Sequence, residues 1–209
     1  MENFADLKKF ENRESLKRDL ENRGIIFSDG LTGQEITHAE KKFKFNFPPD
    51  LKMFLQHALP IARKERDESF FPDWRHLNSD SLNFYMGLPL EGILFDVENN
   101  NFWLPELEQK PQDSEKAKKI MIEAVNKAPK LIPIYAHRYL PAEPLEENNP
   151  IFSVHQTDII YYGSYLYDYF QVEFNKRVYA SSGVKPKKIK FWSAIIESNT
   201  GRSESMLAP

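Results

Sequence analysis

His137, His155 and Asp158 are the side chains of this sequence best suited to chemistry. Two imidazoles and a carboxylate near strand ends could activate a water or a hydroxyl, as a hydrolase requires. Their spacing fits no established motif. With five histidines in 209 residues, two near an aspartate also suit a purely structural or surface role. Little else in the sequence points to catalysis. The chain has no cysteine, which removes thiol nucleophiles, thiolate zinc sites and disulfides. Its eight glycines form no phosphate-cradling loop, so no nucleotide cofactor is expected. There is no Gly-x-Ser-x-Gly elbow and no His-Glu-x-x-His helix, and no metal is expected.

The charge pattern points elsewhere. The net charge of −3 gives no global attraction to nucleic acid. Residues 76–109 and 139–175 together hold twelve of the 31 acids and none of the 28 bases. The first stretch carries Asp80, Glu91, Asp96, Glu98, Glu106 and Glu108; the second carries Glu143, Glu146, Glu147, Asp158, Asp168 and Glu173. Tyr161, Tyr162, Tyr165, Tyr167 and Tyr169 crowd the second stretch. Tyrosine offers a large apolar face and a polar tip, which suits an interface as well as a core. The expectation is a partner-binding face made from Asp96, Glu98, Glu106, Glu108, Glu143, Glu146, Glu147, Asp158, Tyr161, Tyr162, Tyr165 and Asp168. Its partner would be a basic protein, with no direct role for nucleic acid or membrane. Asp96 lies in an apolar run. It reads either as a binding or acid–base carboxylate, or as an acid turned to solvent or paired with a turn amide.

These residues need elements to hold them. Ala5 to Asn22 reads as an amphipathic helix ended by Gly24. Thr32-Gly33-Gln34-Glu35 is a capping box, with Leu31 and Ile36 at staple positions, and opens a second helix. Pro48 and Pro49 break it, and Asp50 sits early in a third. Residues 60–78 read as a charged surface excursion. Gly92 to Glu98 reads as a strand, turning at Asn99-Asn100-Asn101 so that Phe102 to Leu104 pairs back. Ser114 to Ala128 is a helix. Leu131 to Leu140 and Pro150 to Val154 are strands, with Ile159 to Tyr162 continuing the latter after a kink. Ser164 caps a helix to Phe174, Ile189 to Glu197 closes the fold, and 199–209 is a polar tail. The expected class is α+β: a curved, mainly antiparallel sheet flanked by helices, helices first, in one domain spanning 1–198. No run reaches the length of a membrane helix, and the first twenty residues have no apolar signal core. A cysteine-free chain of this kind is expected in the cytoplasm.

Several segments resemble the SUKH superfamily, which groups bacterial immunity proteins with fungal regulators of cell-wall synthesis. Glu40-x-x-Phe43-x-x-x-Phe47-Pro48-Pro49-Asp50-x-x-x-Phe54-Leu55 is similar to its helix–Pro–helix entry. Glu91 to Glu98 with Phe102-Trp103, Leu131 to Pro141, and Asn149 to Gly163 with Leu166-x-Asp168-Tyr169 are similar to its longer bacterial members. The likeness covers about residues 31–175. It departs at Ala58-Leu59-Pro60, where the family often has a glycine pair, and at Leu107 to Pro111, where it often has Trp-Gly-x-Arg-Pro. The resemblance implies an α+β fold and a non-enzymatic role, typically an immunity protein that neutralises a toxin, often a nuclease. It implies no catalytic residues. The alternatives are a scaffold or regulator of an endogenous protein, and a hydrolase using His137, His155 and Asp158.

Overall fold

The computed structural model describes residues 6–64, 70–175 and 184–206, with side chains described through residue 199. Helix α1 (Phe10–Asn22) turns its buried face, Leu16 and Leu20, inward. It starts later than the sequence pattern predicts, and Phe10 is left in solvent. Gly24, at φ +85°, ends it. Strand β1 (Ile25–Asp29) leads to helix α2 (Gly33–Phe43), whose capping box is fully formed: Thr32 accepts from the Glu35 amide and Glu35 from the Thr32 amide. Helix α3 (Pro49–His57) begins with Pro49 at its first position, where a missing N–H has no helical partner to lose. Strand β2 (Ala58–Arg63) pairs antiparallel with β1.

The described part of 60–78, residues 60–64 and 70–78, is not a surface excursion; residues 65–69 lie outside the described ones. Pro60 lies in β2. Phe71, Trp74 and Leu77 enter the core, and Trp74 packs edge-on against Phe47 at 5.1 Å. The next segment reverses a larger expectation. Residues 80–99 form one twenty-residue helix, α4 (Asp80–Asn99), and not a strand and turn. Ser79 caps it by accepting from the Leu82 amide. Pro89 inside the helix cannot donate to the carbonyl of Tyr85, four residues earlier. The Tyr139 hydroxyl donates to that carbonyl instead, at 2.8 Å.

Helix α5 (Ser114–Lys127) follows, capped by Asp113. Then come β3 (Leu131–Tyr135), β4 (Arg138–Pro141), β5 (Ile151–His155) and β6 (Asp158–Gly163), in spatial order β3-β4-β5-β6 and all antiparallel. Leu131 to Leu140 is therefore a hairpin and not one strand; Ala136, at φ +47°, makes its turn. Residues 156 and 157 turn β5 back into β6, where a kinked continuation was expected. Helix α6 (Leu166–Asn175) starts with the Asp168 carboxylate accepting from the Ser164 amide, the reverse of the expected cap. Helix α7 (Trp192–Met206) runs well into the segment expected to be a loose tail; residues 207–209 lie outside the described ones.

The four-stranded sheet is a middle layer. One face, with Ile132, Ile134, Leu140 and Ile151, packs with α1, α2, α3 and α6. The other, with Tyr139, Phe152, Val154 and Ile159, packs with α4, α5 and α7. Burial on both faces explains why β3 is buried at all five positions. The class is α+β, with antiparallel sheets flanked by helices. No described helix is long and apolar enough to cross a membrane.

Candidate functional site

Two parts of the molecule contain the acids singled out by sequence, and each is fixed by its own local chemistry. In the first, α4 lies against the β5–β6 turn. Gly92 makes this possible, because a Cβ there would sit 2.7 Å from the Cα of Gln156. Asp96, only 3% exposed, reaches across and accepts from the Thr157 amide at 2.9 Å and the Thr157 hydroxyl at 2.6 Å. The Asn100 side-chain amide donates to its other oxygen at 2.5 Å. Asp96 is therefore a buried carboxylate bonded to a turn amide, and it leaves the proposed docking face. Glu98 is exposed, and Lys118 of α5 pairs with it at 2.8 Å. Glu106 and Glu108 are exposed on the loop after α4; the Glu108 carbonyl accepts from the Trp103 indole at 2.7 Å.

In the second part the acids are mostly engaged. Glu146 pairs with Lys187 at 3.0 Å, and Glu147 with Lys8 at 2.8 Å. Glu173 takes Arg138 at 3.0 Å; the guanidinium also donates to Ser153 and lies 3.8 Å over the Tyr162 ring. Asp168 is buried on the Ser164 amide. The tyrosines follow the same rule. Tyr161 packs on Phe152 and shares a 2.5 Å hydrogen bond with Ser193. Tyr162 packs against the core, and burial raises the pKa of the half-buried Tyr165. Tyr169 is fully buried. Glu143 stays exposed, on a cleft of about 800 Å³ that it shares with Lys41, Lys44, Lys127 and Lys130. The twelve residues thus do not converge on one acidic, tyrosine-rich patch. Asp96 and Asp168 are inside, Tyr161 and Tyr162 serve the two cores, and lysines from distant positions meet Glu98, Glu146 and Glu147.

His137, His155 and Asp158 do reach one tip of the sheet. His155 is the register partner of Asp158, and the His137 carbonyl accepts from Val154 at 2.9 Å. All three are exposed at the surface. Neither imidazole makes a side-chain hydrogen bond among the described residues. Partial burial, with Arg138 and His155 close by, lowers the pKa of His137 and favours its neutral form. The described residues contain no cluster of three metal-ligating side chains.

The surface feature that sequence reasoning missed lies on α4. Its buried side is Leu82, Pro89, Ile93, Asp96 and Val97. Its outward side carries Asp80, Phe84, Leu88, Glu91, Phe95 and Glu98, at steps of three or four residues that trace one stripe. Phe84 is 57% exposed and Phe95 49%. The signal was present in that spacing and in the Ser79 cap, but apolar residues on both sides of the helix hid its period. Compared with models of known families, with curated proteins and with solved structures, the chain matches none.

Proposed function

We propose that this protein acts by binding another protein, and that its partner is a basic toxin domain which it neutralises without catalysis. The observation that supports this reading best is the outer face of α4, where Phe84 and Phe95 stand in solvent among Asp80, Glu91 and Glu98. Contiguous exposed apolar surface marks interaction sites, and Phe84, the half-buried Leu88 and Phe95 lie along one face of the helix. Carboxylates beside them favour a positively charged partner and speed its approach. The resemblance to the SUKH superfamily points the same way. The hydrolytic reading has less support: its three residues share a sheet tip and are exposed, but no side-chain hydrogen bond links them among the described residues. A complex of ordinary size would bury on the order of 1,600 Å².

The experiment is to mix the protein with the product of a toxin gene encoded beside it and follow association at low and high salt. The expected result is a stable complex whose association rate falls about tenfold or more as salt rises. A salt-insensitive rate removes the electrostatic part of the proposal. Hydrolytic activity lost on His155→Ala would replace it with the enzymatic reading.

A further inference from the structure

We infer that the docking element is the outer stripe of α4 and that it receives an amphipathic, basic segment of another protein. This rests on the protein-binding reading above and specifies its surface and its partner. The stripe repeats acid and apolar groups in order: Asp80, Phe84, Leu88, Glu91, Phe95, Glu98. Phe84 and Phe95 are three helical turns apart, about 16 Å along the axis. That separation suits two anchors of a helix or an extended segment laid along α4.

The charges select the occupant. Glu91 stands between the two aromatic anchors. Its neighbours one turn away on α4 are Gly87, Leu88, Leu94 and Phe95, so the helix itself offers it no base. Asp80 is placed where the helix N-terminus favours an acid, and Glu98 has Lys118. Residues 76–109 contain no lysine or arginine, and the bases that reach α4 from elsewhere, Lys118 on Glu98 and Lys110 on the Val97 carbonyl, both sit at its C-terminal end, away from Glu91. A second copy of this chain is the wrong occupant. In a two-fold pair the same patch meets itself. An antiparallel α4 would set Asp80 against Glu98 of the other copy and bring the two Glu91 side chains together. A parallel α4 would set every acid against its twin. A basic segment with apolar residues at helical spacing has neither problem, and its lysines would meet Glu91 between the phenylalanines.

The test uses the full chain and an eighteen-residue helical peptide of leucine and lysine with leucines on one face, together with the same peptide carrying glutamate for lysine. The lysine peptide is expected to bind and to weaken with salt, and the glutamate peptide not to bind. Phe84→Ser and Phe95→Ser are each expected to weaken binding about tenfold. Glu91→Lys should weaken it by a similar factor, and Glu11→Lys, on α1 across the sheet, should leave it unchanged. Phe84 and Phe95 are exposed, so both serine variants should keep the wild-type circular dichroism and melting temperature. Binding unaffected by Phe84→Ser and Phe95→Ser overturns the inference. So does equal binding of the glutamate peptide, or a dimer in sedimentation that Phe84→Ser dissolves. If a toxin is bound with unchanged affinity by both serine variants, the stripe falls and the protein-binding reading stands. If the lysine peptide behaves as expected and no toxin binds, the toxin reading falls and the stripe stands.

Discussion

Between residues 76 and 109 the chain turns most of its acids outward; between 139 and 175 it folds most of them against partners. Both stretches hold six acids and no base. In the first, one helix shows Asp80, Glu91 and Glu98 to solvent and keeps only Asp96 inside. In the second, Lys8, Lys187 and Arg138 arrive from outside the stretch to meet Glu147, Glu146 and Glu173. An absence of bases along the sequence therefore says little about their absence in space. The difference comes from topology. The second stretch is the middle of a three-layer sandwich, so elements approach it from both sides. The first forms a peripheral helix with one free face.

The largest way to break this comparison lies in the second stretch. Glu173 and Arg138 are both mostly buried, and Glu173→Ala leaves the guanidinium without its counter-ion. The expected loss is about 3 kcal/mol by urea unfolding. A loss below about 0.5 kcal/mol would mean that these acids are not structurally engaged. Asp96→Ala, the inward acid of α4, removes the acceptor for the Thr157 amide and hydroxyl and for Asn100. It is expected to cost about 2–3 kcal/mol, with hydrogen exchange at the β5–β6 turn rising first.

Tyr139→Phe links the two stretches, because its hydroxyl serves the Tyr85 carbonyl that Pro89 leaves free. The expected cost is about 1–2 kcal/mol, and it should vanish when Pro89→Ala restores the helical donor. Asp50 tethers the second stretch to α3 by accepting from the Asn148 amide at 3.0 Å. Burial raises its pKa; the amides of Asn148 and Leu51 oppose that shift, and Glu147 adds to it. A raised carboxyl favours the neutral form in the folded protein, so its contribution is present at low pH and lost as pH rises through the folded value. Asp50→Asn should therefore gain stability relative to wild type as pH rises across the acid range. Parallel pH profiles would contradict this. The smallest effect belongs to the open surface: Glu91→Gln should change stability by less than about 0.5 kcal/mol.

What the sequence conveyed follows from where each signal originates. The capping box at Thr32, the Pro49 start of α3 and the 3.6-residue pattern of α5 are local, and each appears as read. Helix α4 misled because Gly92 to Val97 mixes apolar and β-branched residues, while Pro89 and two glycines look like breaks. Gly92 is there for a close approach to another element, and the defect at Pro89 is repaired by a tyrosine 54 positions from the Tyr85 carbonyl that it serves. Neither fact is local. The turns at Ala136 and Gln156 place non-glycine residues at φ +47° and +56°, so the usual turn residues give no warning. The proposed acidic face was legible as composition and illegible as a surface, because ion pairing is decided by tertiary contacts.

The most direct test is a residue-resolved NMR footprint of the leucine–lysine peptide on the full chain. The amides of residues 80–98 should shift on addition, while those of 143–168 stay in place, and the pattern should fade at high salt. A footprint on 143–168, or shifts spread over both stretches alike, would contradict the division between an open and a closed acidic region.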